Sequence, residues 1–294
     1  MEKLLQWAVQ NSDKEELQRT AEAVRSGNAN IDPKKFDPAV IEAILGKDDA
    51  TRMKEALQCI CDPEDTIENK EIALDNFELL IEGIDNAKNI ENMKLWPQII
   101  GQLGAKEVEV RKGIAWICGT AVQNNPEAQK AFLNNGGLEP LLNLLKNKDE
   151  DKEVRSKAQY AISGFLKHFP EGMTAFKELN GFDAFVDIVQ RDEDPAIVRK
   201  VIFLYNILML DDRDLAILLI QKGSMHDLDT IIAKYTEADD EDMVEKALRA
   251  LYTMLSESNT PTPPDAKKHA QEAASKFGQA NLGLDKSEWS LLVK

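Results

Sequence analysis

The chain has 294 residues, of which 43% are apolar, 6% aromatic and 30% charged, and its formal net charge is −16. This composition provides an aliphatic core and a charged surface, as in a folded helical protein. The negative charge argues against nucleic acid and anionic membranes as partners, because both repel an acidic chain. The negative charge favours a basic face of another protein as the binding partner. Alternatively, it only keeps an exposed helical surface soluble.

The cysteines and the first residues indicate a cellular compartment. Cys59, Cys61 and Cys118 are too few for a disulfide framework and fit a reducing environment. The N-terminal residues contain no long apolar run, so we expect no secretory signal, and no run is long enough to span a bilayer. These features predict a cytoplasmic protein.

The N-terminal part of the chain predicts short helices. Leu4, Leu5 and Trp7 share one face at helical spacing. We expect residues 1–35 to form a flexible or capping segment, and residues 36–66 to form N-terminal capping helices that lead into the rest of the fold.

From residue 67 onward the sequence repeats itself with a period of about 44 residues. Apolar residues, glycines and prolines recur together, and two successive copies align without a gap. The matched pairs include Trp116 with Tyr160, Pro126 with Pro170, Phe132 with Phe176, and Gly137 with Gly181. A period of this length is typical of HEAT and armadillo arrays.

Each repeat resolves into one short and two longer helices, predicted at Pro126–Asn134, Leu138–Lys146 and about 152–167 in one copy. Three helices favour the armadillo unit over the two-helix HEAT unit. Repeats must stack to bury their apolar faces, and the stack curves into a groove lined mainly by the third helices. We therefore predict an all-α, right-handed armadillo-repeat solenoid over residues 67–256 with capping helices at both ends. Residues 257–294 are expected to be a linker and a C-terminal cap or tail.

The sequence contains no catalytic constellation. His168, His226 and His269 are scattered, without a cysteine or carboxylate at the spacing of a metal site. The acidic run 239–242 stands at a predicted helix start, where carboxylates interact favourably with the helix dipole. A glycine-rich phosphate loop and a nucleophile elbow are both missing. We expect no metal, no cofactor and no enzymatic activity, and interpret the chain as a monomeric protein-binding module.

Candidate contact residues lie on the predicted third helices. Trp116 shares one face with Lys112 and Thr120, and Tyr160 occupies the equivalent position in the next repeat. A tryptophan at this place is either a platform for a partner or packed beneath the next repeat.

One arginine also recurs in every repeat, at Arg111, Arg155 and Arg199. These arginines either form an internal ladder with acidic residues of the adjacent repeat or clamp a carboxylate of a partner. Arg199 is our preferred functional candidate among them.

Several longer segments resemble a known family. They are residues 1–12, 75–93, 119–125, 155–163 and 179–182. Together they are similar to the Fes/HspBP family, the armadillo-type nucleotide exchange factors of heat-shock-protein-70 chaperones, and in particular to its cytosolic fungal members. The similarity extends from residue 1 to about residue 255, and the tail matches more weakly.

The resemblance implies a mechanism without catalytic residues. The concave face would bind one lobe of the chaperone's ATPase domain and hold it in an orientation that opens the nucleotide cleft, so that ADP leaves. Matching the family position by position adds Asn86, Ala87 and Asn89, in a loop of the first repeat, to Trp116 and Arg199 as contact candidates.

The resemblance also implies that residues 1–35 help to release polypeptide from the chaperone, with Leu4, Leu5 and Trp7 as apolar contacts. A capping helix folded on the first repeat is the alternative for this segment. For the whole chain, the alternative is a general armadillo adaptor or scaffold that binds another protein or a basic peptide. Peptide-binding receptors of that kind carry a Trp–Asn ladder, whereas Thr120 follows Trp116 here.

Overall fold

The computed structural model describes residues 13–26, 47–192 and 194–293. The chain divides into two compact units, residues 1–52 and residues 53–294. In the first unit, helix α1 spans Lys14–Arg25, and the Asp13 side chain accepts a hydrogen bond of 2.9 Å from the Glu15 amide at its start. The predicted apolar contacts Leu4, Leu5 and Trp7 lie outside the described residues.

The second unit is built from helices, and the described residues contain no β-strand. Helix α2 leads into this unit and the others follow in chain order: α2 (Asp49–Cys61), α3 (Ile67–Ile81), α4 (Ile84–Asn92), α5 (Trp96–Gly101), α6 (Val108–Val122), α7 (Pro126–Asn134), α8 (Leu138–Lys146), α9 (Lys152–Leu166), α10 (Pro170–Glu178), α11 (Gly181–Arg191), α12 (Pro195–Asp211), α13 (Arg213–Gln221), α14 (Ser224–Glu237), α15 (Glu241–Ser258), α16 (Pro264–Phe277) and α17 (Lys286–Val293). None of these helices is long and apolar enough to cross a membrane.

The three-helix unit predicted from the sequence is present, and its bounds follow from local signals. The Asn125 side chain accepts a hydrogen bond from the Ala128 amide, and Pro126 occupies the first position of α7, where no amide is needed. Asp151 caps α9 by accepting hydrogen bonds from the Glu153 and Val154 amides. Helices α7 and α9 therefore begin at residues whose side chains cap them, whereas α8 begins after Gly137 without a side-chain cap.

The third helices of successive repeats, α3, α6, α9, α12 and α15, pack side by side. The core is aliphatic with a chain of aromatic rings through it: Phe132 meets Trp96 edge-on at 5.3 Å and Phe165 at 5.6 Å between ring centres. Trp96 belongs to one repeat and Phe132 and Phe165 belong to the next, so these contacts join two consecutive repeats into one core. This is the all-α armadillo solenoid predicted from the repeat period.

One segment differs from the sequence prediction. Asn86, Ala87 and Asn89, which were expected in a loop of the first repeat, lie in helix α4, in which Ala87 and Ile90 are buried. At the C-terminus, the expected linker and cap or tail contains helices α16 and α17, and α17 buries Trp289 and Leu292 in the core. The second unit begins at Met53, within residues 36–66.

Candidate protein-binding surface

The recurring arginines form an internal ladder between repeats. The Arg111 guanidinium donates to both carboxylate oxygens of Glu150, at 3.0 and 2.6 Å, and these hydrogen bonds lower the pKa of Glu150. Arg199 contacts Asp240 at 2.5 Å and Asp242 at 2.8 Å. The structure thus shows the internal ladder and not free arginines that await a partner. Arg199 is a partly exposed member of this ladder.

Arg155 is the most enclosed member of this ladder. Its guanidinium donates to both carboxylate oxygens of Asp192 and to the Leu145 carbonyl oxygen at 3.1 Å. Only 4% of the Arg155 side chain and 3% of the Asp192 side chain are exposed. Arg155 was expected to contact a partner, and this expectation is wrong for the described structure because its donors are buried and occupied.

The candidates of the first repeat also divide into a buried residue and partly exposed ones. Ala87 is 2% exposed on the core-facing side of α4, so its side chain is too buried to make the expected contact with a partner. Asn86 and Asn89 are half-buried on α4. Asn86 donates to the Leu80 carbonyl oxygen at 2.9 Å, and Asn89 accepts a hydrogen bond from Asn92 at 3.0 Å. Both side chains therefore have hydrogen-bond partners within the chain and remain accessible in part.

Trp116 is partly exposed on the third helix α6. The ammonium group of Lys157, from the neighbouring third helix α9, lies 3.6 Å from the centre of its indole ring. This is a cation–π contact, in which the ring quadrupole attracts the charge. Trp116 is thus neither packed beneath the next repeat nor fully open, since a lysine of that repeat covers one ring face.

The other third-helix candidates surround this pair. Lys112 forms an ion pair of 3.2 Å with Glu153, and Thr120 donates to Glu78 at 2.7 Å. The Tyr160 hydroxyl donates to Gln123 at 2.6 Å, while its ring covers Gly119. A Cβ atom on Gly119 would lie 2.4 Å from the Tyr160 ring, so the glycine is what allows the ring to approach α6 this closely.

Sequence reasoning missed three residues of this surface, namely Lys157, Lys200 and Phe203. Lys200 on α12 donates to the Ser156 hydroxyl at 2.5 Å. Phe203, one turn later, is 46% exposed, although the repeat-equivalent Ala115 and Gln159 are buried. The period of the repeat could have identified Lys200, which aligns with Lys112, but it predicts a buried residue at the position of Phe203.

The histidines and cysteines form no reactive site among the described residues. His168 lies 3.2 Å from Asp211 and His269 lies 2.7 Å from Asp229, so two of the histidines meet a carboxylate that is distant in sequence. No group of three or more potential metal ligands occurs in the described ranges. All three cysteines are free, and burial, with a hydrogen bond to Asp65, raises the pKa of the Cys59 thiol to about 11. Such a thiol is a poor nucleophile at neutral pH.

The fold and this surface define an armadillo-repeat protein whose candidate site is the exposed side of its third helices. Structural similarity supports the fold. A designed armadillo repeat protein matches 82% of this chain and 96% of its own length, with a TM-score of 0.61 and 16% sequence identity. An engineered protein matches with a TM-score of 0.65 and the same identity, over 81% of this chain and 95% of its own.

Sequence similarity defines the family. Residues 1–90 match the family described as nucleotide exchange factor Fes1, and residues 86–230 match the SIL1/FES1/HPBP1 C-terminal domain. The Hsp70 nucleotide exchange factor fes1 of Schizosaccharomyces pombe is 36% identical over 255 residues, which cover 86% of this chain and 85% of that protein. The chain therefore belongs to the Fes1 family.

Other relatives of the same name are longer than the matched region. The Hsp70 nucleotide exchange factor FES1 of Mycosarcoma maydis is 41% identical over 72% of this chain and 55% of its own length. Its namesake from Saccharomyces cerevisiae is 38% identical over 64% of this chain and 63% of its own length.

Proposed function

We propose that this protein is a nucleotide exchange factor for an Hsp70 chaperone. It binds the chaperone's ATPase domain with the third-helix surface around Trp116 and thereby promotes release of ADP. The observation that carries the proposal is membership of the Fes1 family along nearly the whole chain. The surface itself supports it, because aromatic and cationic side chains lie partly exposed on adjacent third helices.

The proposed mechanism needs no catalytic residue. A protein that binds the open arrangement of a nucleotide cleft more tightly than the closed one shifts the population toward the open state. Bound nucleotide then dissociates faster, and the chaperone rebinds the nucleotide in excess. We accordingly regard the chain as a binding partner and not an enzyme. We place it in the cytoplasm as a monomer, a location supported by three free cysteines.

We retain Asn86, Asn89, Lys112, Trp116, Thr120, Tyr160 and Arg199 as contact candidates for this surface. The ladder contacts of Arg199 leave its side chain 27% exposed, so its role in binding is secondary to its role between repeats. Residues 1–35, with Leu4, Leu5 and Trp7, form the second part of the proposal, as a segment that assists release of polypeptide from the chaperone.

The direct experiment uses an Hsp70 chaperone loaded with fluorescent ADP and chased with excess ATP. Addition of this protein should accelerate loss of the fluorescent nucleotide in a saturable manner. Unchanged release at saturating protein would overturn the proposal. A chain lacking residues 1–35 should still accelerate ADP release but should release bound peptide more slowly, and loss of ADP release in this variant would reject the division of roles.

A further inference from the structure

Three lysines from three consecutive third helices meet on the surface around Trp116. Lys157 covers the Trp116 ring. Lys200 donates a hydrogen bond to Ser156, the residue before Lys157. Lys112 lies on helix α6, one turn before Trp116. We call Lys112, Lys157 and Lys200 the lysine cluster. Burial lowers the pKa of Lys157, and the charges of Lys200 and Lys112 lower it further against the attraction of Glu78 and Glu153. Lys157 is therefore close enough to both other lysines for their charges to repel it.

This cluster is unusual for its surroundings. The chain carries a net charge of −16, and many of its lysines lie against a carboxylate, as Lys88 does with Glu127 at 2.8 Å. Within the described residues, neither Lys157 nor Lys200 has a carboxylate within ion-pair distance. Lys112 pairs with Glu153, and Glu78 and Glu153 attract Lys157 from beyond ion-pair distance, but Lys112 and Lys200 still repel Lys157, and an anionic ligand would offset this repulsion.

The surface beside the cluster suits a protein ligand. Trp116 and Tyr160 are partly exposed, and Phe203 stands one turn from Lys200 on the same face of α12 with 46% of its surface exposed. Aromatic residues are enriched at protein interfaces. A long polyanion is less suited, because the exposed carboxylate of Glu153 lies 3.2 Å from Lys112 and would repel phosphates that run along the helices.

We propose that the lysine cluster docks an acidic segment of the chaperone's ATPase domain, with aspartate or glutamate side chains over Lys157 and Lys200 and an apolar side chain against Phe203. This inference rests on the proposed function and specifies the chemistry of the partner at that site. Carboxylates accept hydrogen bonds from both ammonium groups, and Lys157 then holds its place between the indole ring and the ligand. The site is assembled from three repeats, so it exists only in the stacked chain.

Such complementary charges act mainly on association. Attraction between opposite surface charges raises the association rate, and added salt screens it. The wild-type protein should therefore bind the isolated ATPase domain more slowly as ionic strength rises. Because the remaining surface is acidic and would repel an acidic partner, the cluster should account for most of this salt dependence.

The experiment compares two double variants that carry the same net charge. K157E/K200E reverses the cluster, and K130E/K146E reverses two exposed lysines on α7 and α8, outside the third helices. Binding of the Hsp70 ATPase domain is measured by surface plasmon resonance at two salt concentrations. K157E/K200E should bind at least tenfold more weakly than the control variant and lose the salt dependence of the wild type. K157Q/K200Q, which removes charge without introducing acid, should give an intermediate loss, and thermal melts of all variants establish that they fold.

The outcomes separate the two proposals. If the wild type binds and accelerates ADP release but K157E/K200E behaves like K130E/K146E, the docking inference is overturned and the exchange function stands. If the wild type neither binds the ATPase domain nor accelerates ADP release, both are overturned. Cluster-dependent binding of a single-stranded oligonucleotide in place of the ATPase domain would identify a phosphate-bearing partner and overturn the acidic-protein inference.

Discussion

Arg155 and Asp192 form an ion pair between consecutive repeats with less than a twentieth of either side chain exposed. Removing two charges from water is costly, and their mutual attraction offsets this cost only while both are present. Burial alone would raise the pKa of Asp192, but the hydrogen bonds from Arg155 and the Asp194 amide, with the charge of Arg155, hold it below its usual value. The pair is thus a point where stability depends on both partners at once.

Asp192→Asn should lower the free energy of unfolding by about 3 kcal/mol, because Arg155 then remains buried without its counter-charge. Urea unfolding at neutral pH measures this loss. Asp187→Asn is the control, since Asp187 pairs with Lys148 and Arg191 at exposed positions and should cost about 0.5 kcal/mol or less. Equal losses in the two variants would contradict the importance assigned to the buried pair.

This pair and the Arg111–Glu150 pair together predict the pH dependence of stability. The pKa values of Asp192 and Glu150 are lowered in the folded chain, so the unfolded chain binds protons first as pH falls. Their contribution is complete above the unfolded pKa values of about 4 and is lost as pH falls through the lower folded values. Urea unfolding of the wild type between pH 6 and pH 3 should show this decline. Asp192→Asn should show a smaller decline, and an identical slope would refute the assignment.

Arg199→Ala should weaken the protein mainly through stability. Its contacts with Asp240 and Asp242 are only partly buried, so we expect a loss of about 1–2 kcal/mol in urea unfolding. ADP release, measured well below the melting temperature, should change little. A large loss of exchange activity with an unchanged melt would show instead that Arg199 contacts the chaperone.

Trp116→Ala should weaken binding of the chaperone ATPase domain by about 2 kcal/mol, or roughly thirtyfold, as expected for an interfacial tryptophan anchor. The substitution also removes the platform on which Lys157 rests. Trp116→Phe keeps an aromatic face and should recover part of the affinity. Isothermal titration calorimetry measures both variants, and equal affinity of the alanine variant and the wild type would remove Trp116 from the interface.

Gly119→Ala should destabilise the protein although alanine is the better helix former by about 1 kcal/mol. The new Cβ would lie 2.4 Å from the Tyr160 ring and 3.1 Å from the Ala161 Cα, so the ring or helix α9 must move, at a cost of about 1–3 kcal/mol. Gly101→Ala is the matched control, because nothing lies within 4 Å of its Cβ position and the change should stabilise. Thermal melts that shift in opposite directions would support the close approach of α6 and α9.

The sequence predicts the helices of the repeats well because their signals are local. Asn125 and Pro126 fix the start of α7 wherever the rest of the chain lies, and the same applies to Asp151 at α9. The arginine ladder follows from the period in the same way, since a residue that recurs once per repeat meets an equivalent environment each time. The acidic partners of these arginines could not be identified from the sequence, because they lie in turns and at helix starts where several carboxylates are close together.

The surface is harder to predict because it depends on how adjacent helices are rotated. Lys157 does not align with Lys112 and Lys200 in the repeat, yet it lies on Trp116 because its long side chain reaches back across one helix. Phe203 is exposed where the repeat predicts a buried residue. The burial of Ala87 was missed because the family resemblance placed it in a loop, whereas it lies on the buried side of the short helix α4.

The arginine ladder has a consequence for how such a chain can change in length. In each ion pair of the ladder, an arginine near the start of one third helix pairs with a carboxylate just before or at the start of the next third helix. Examples are Arg111 with Glu150 and Arg155 with Asp192. These ion pairs are interchangeable, because deletion of residues 112–155 would place Arg111 in the position of Arg155, where it could pair with Asp192. Gain or loss of a whole unit is therefore compatible with the framework, whereas Trp116, which occurs in one unit only, would vanish with it.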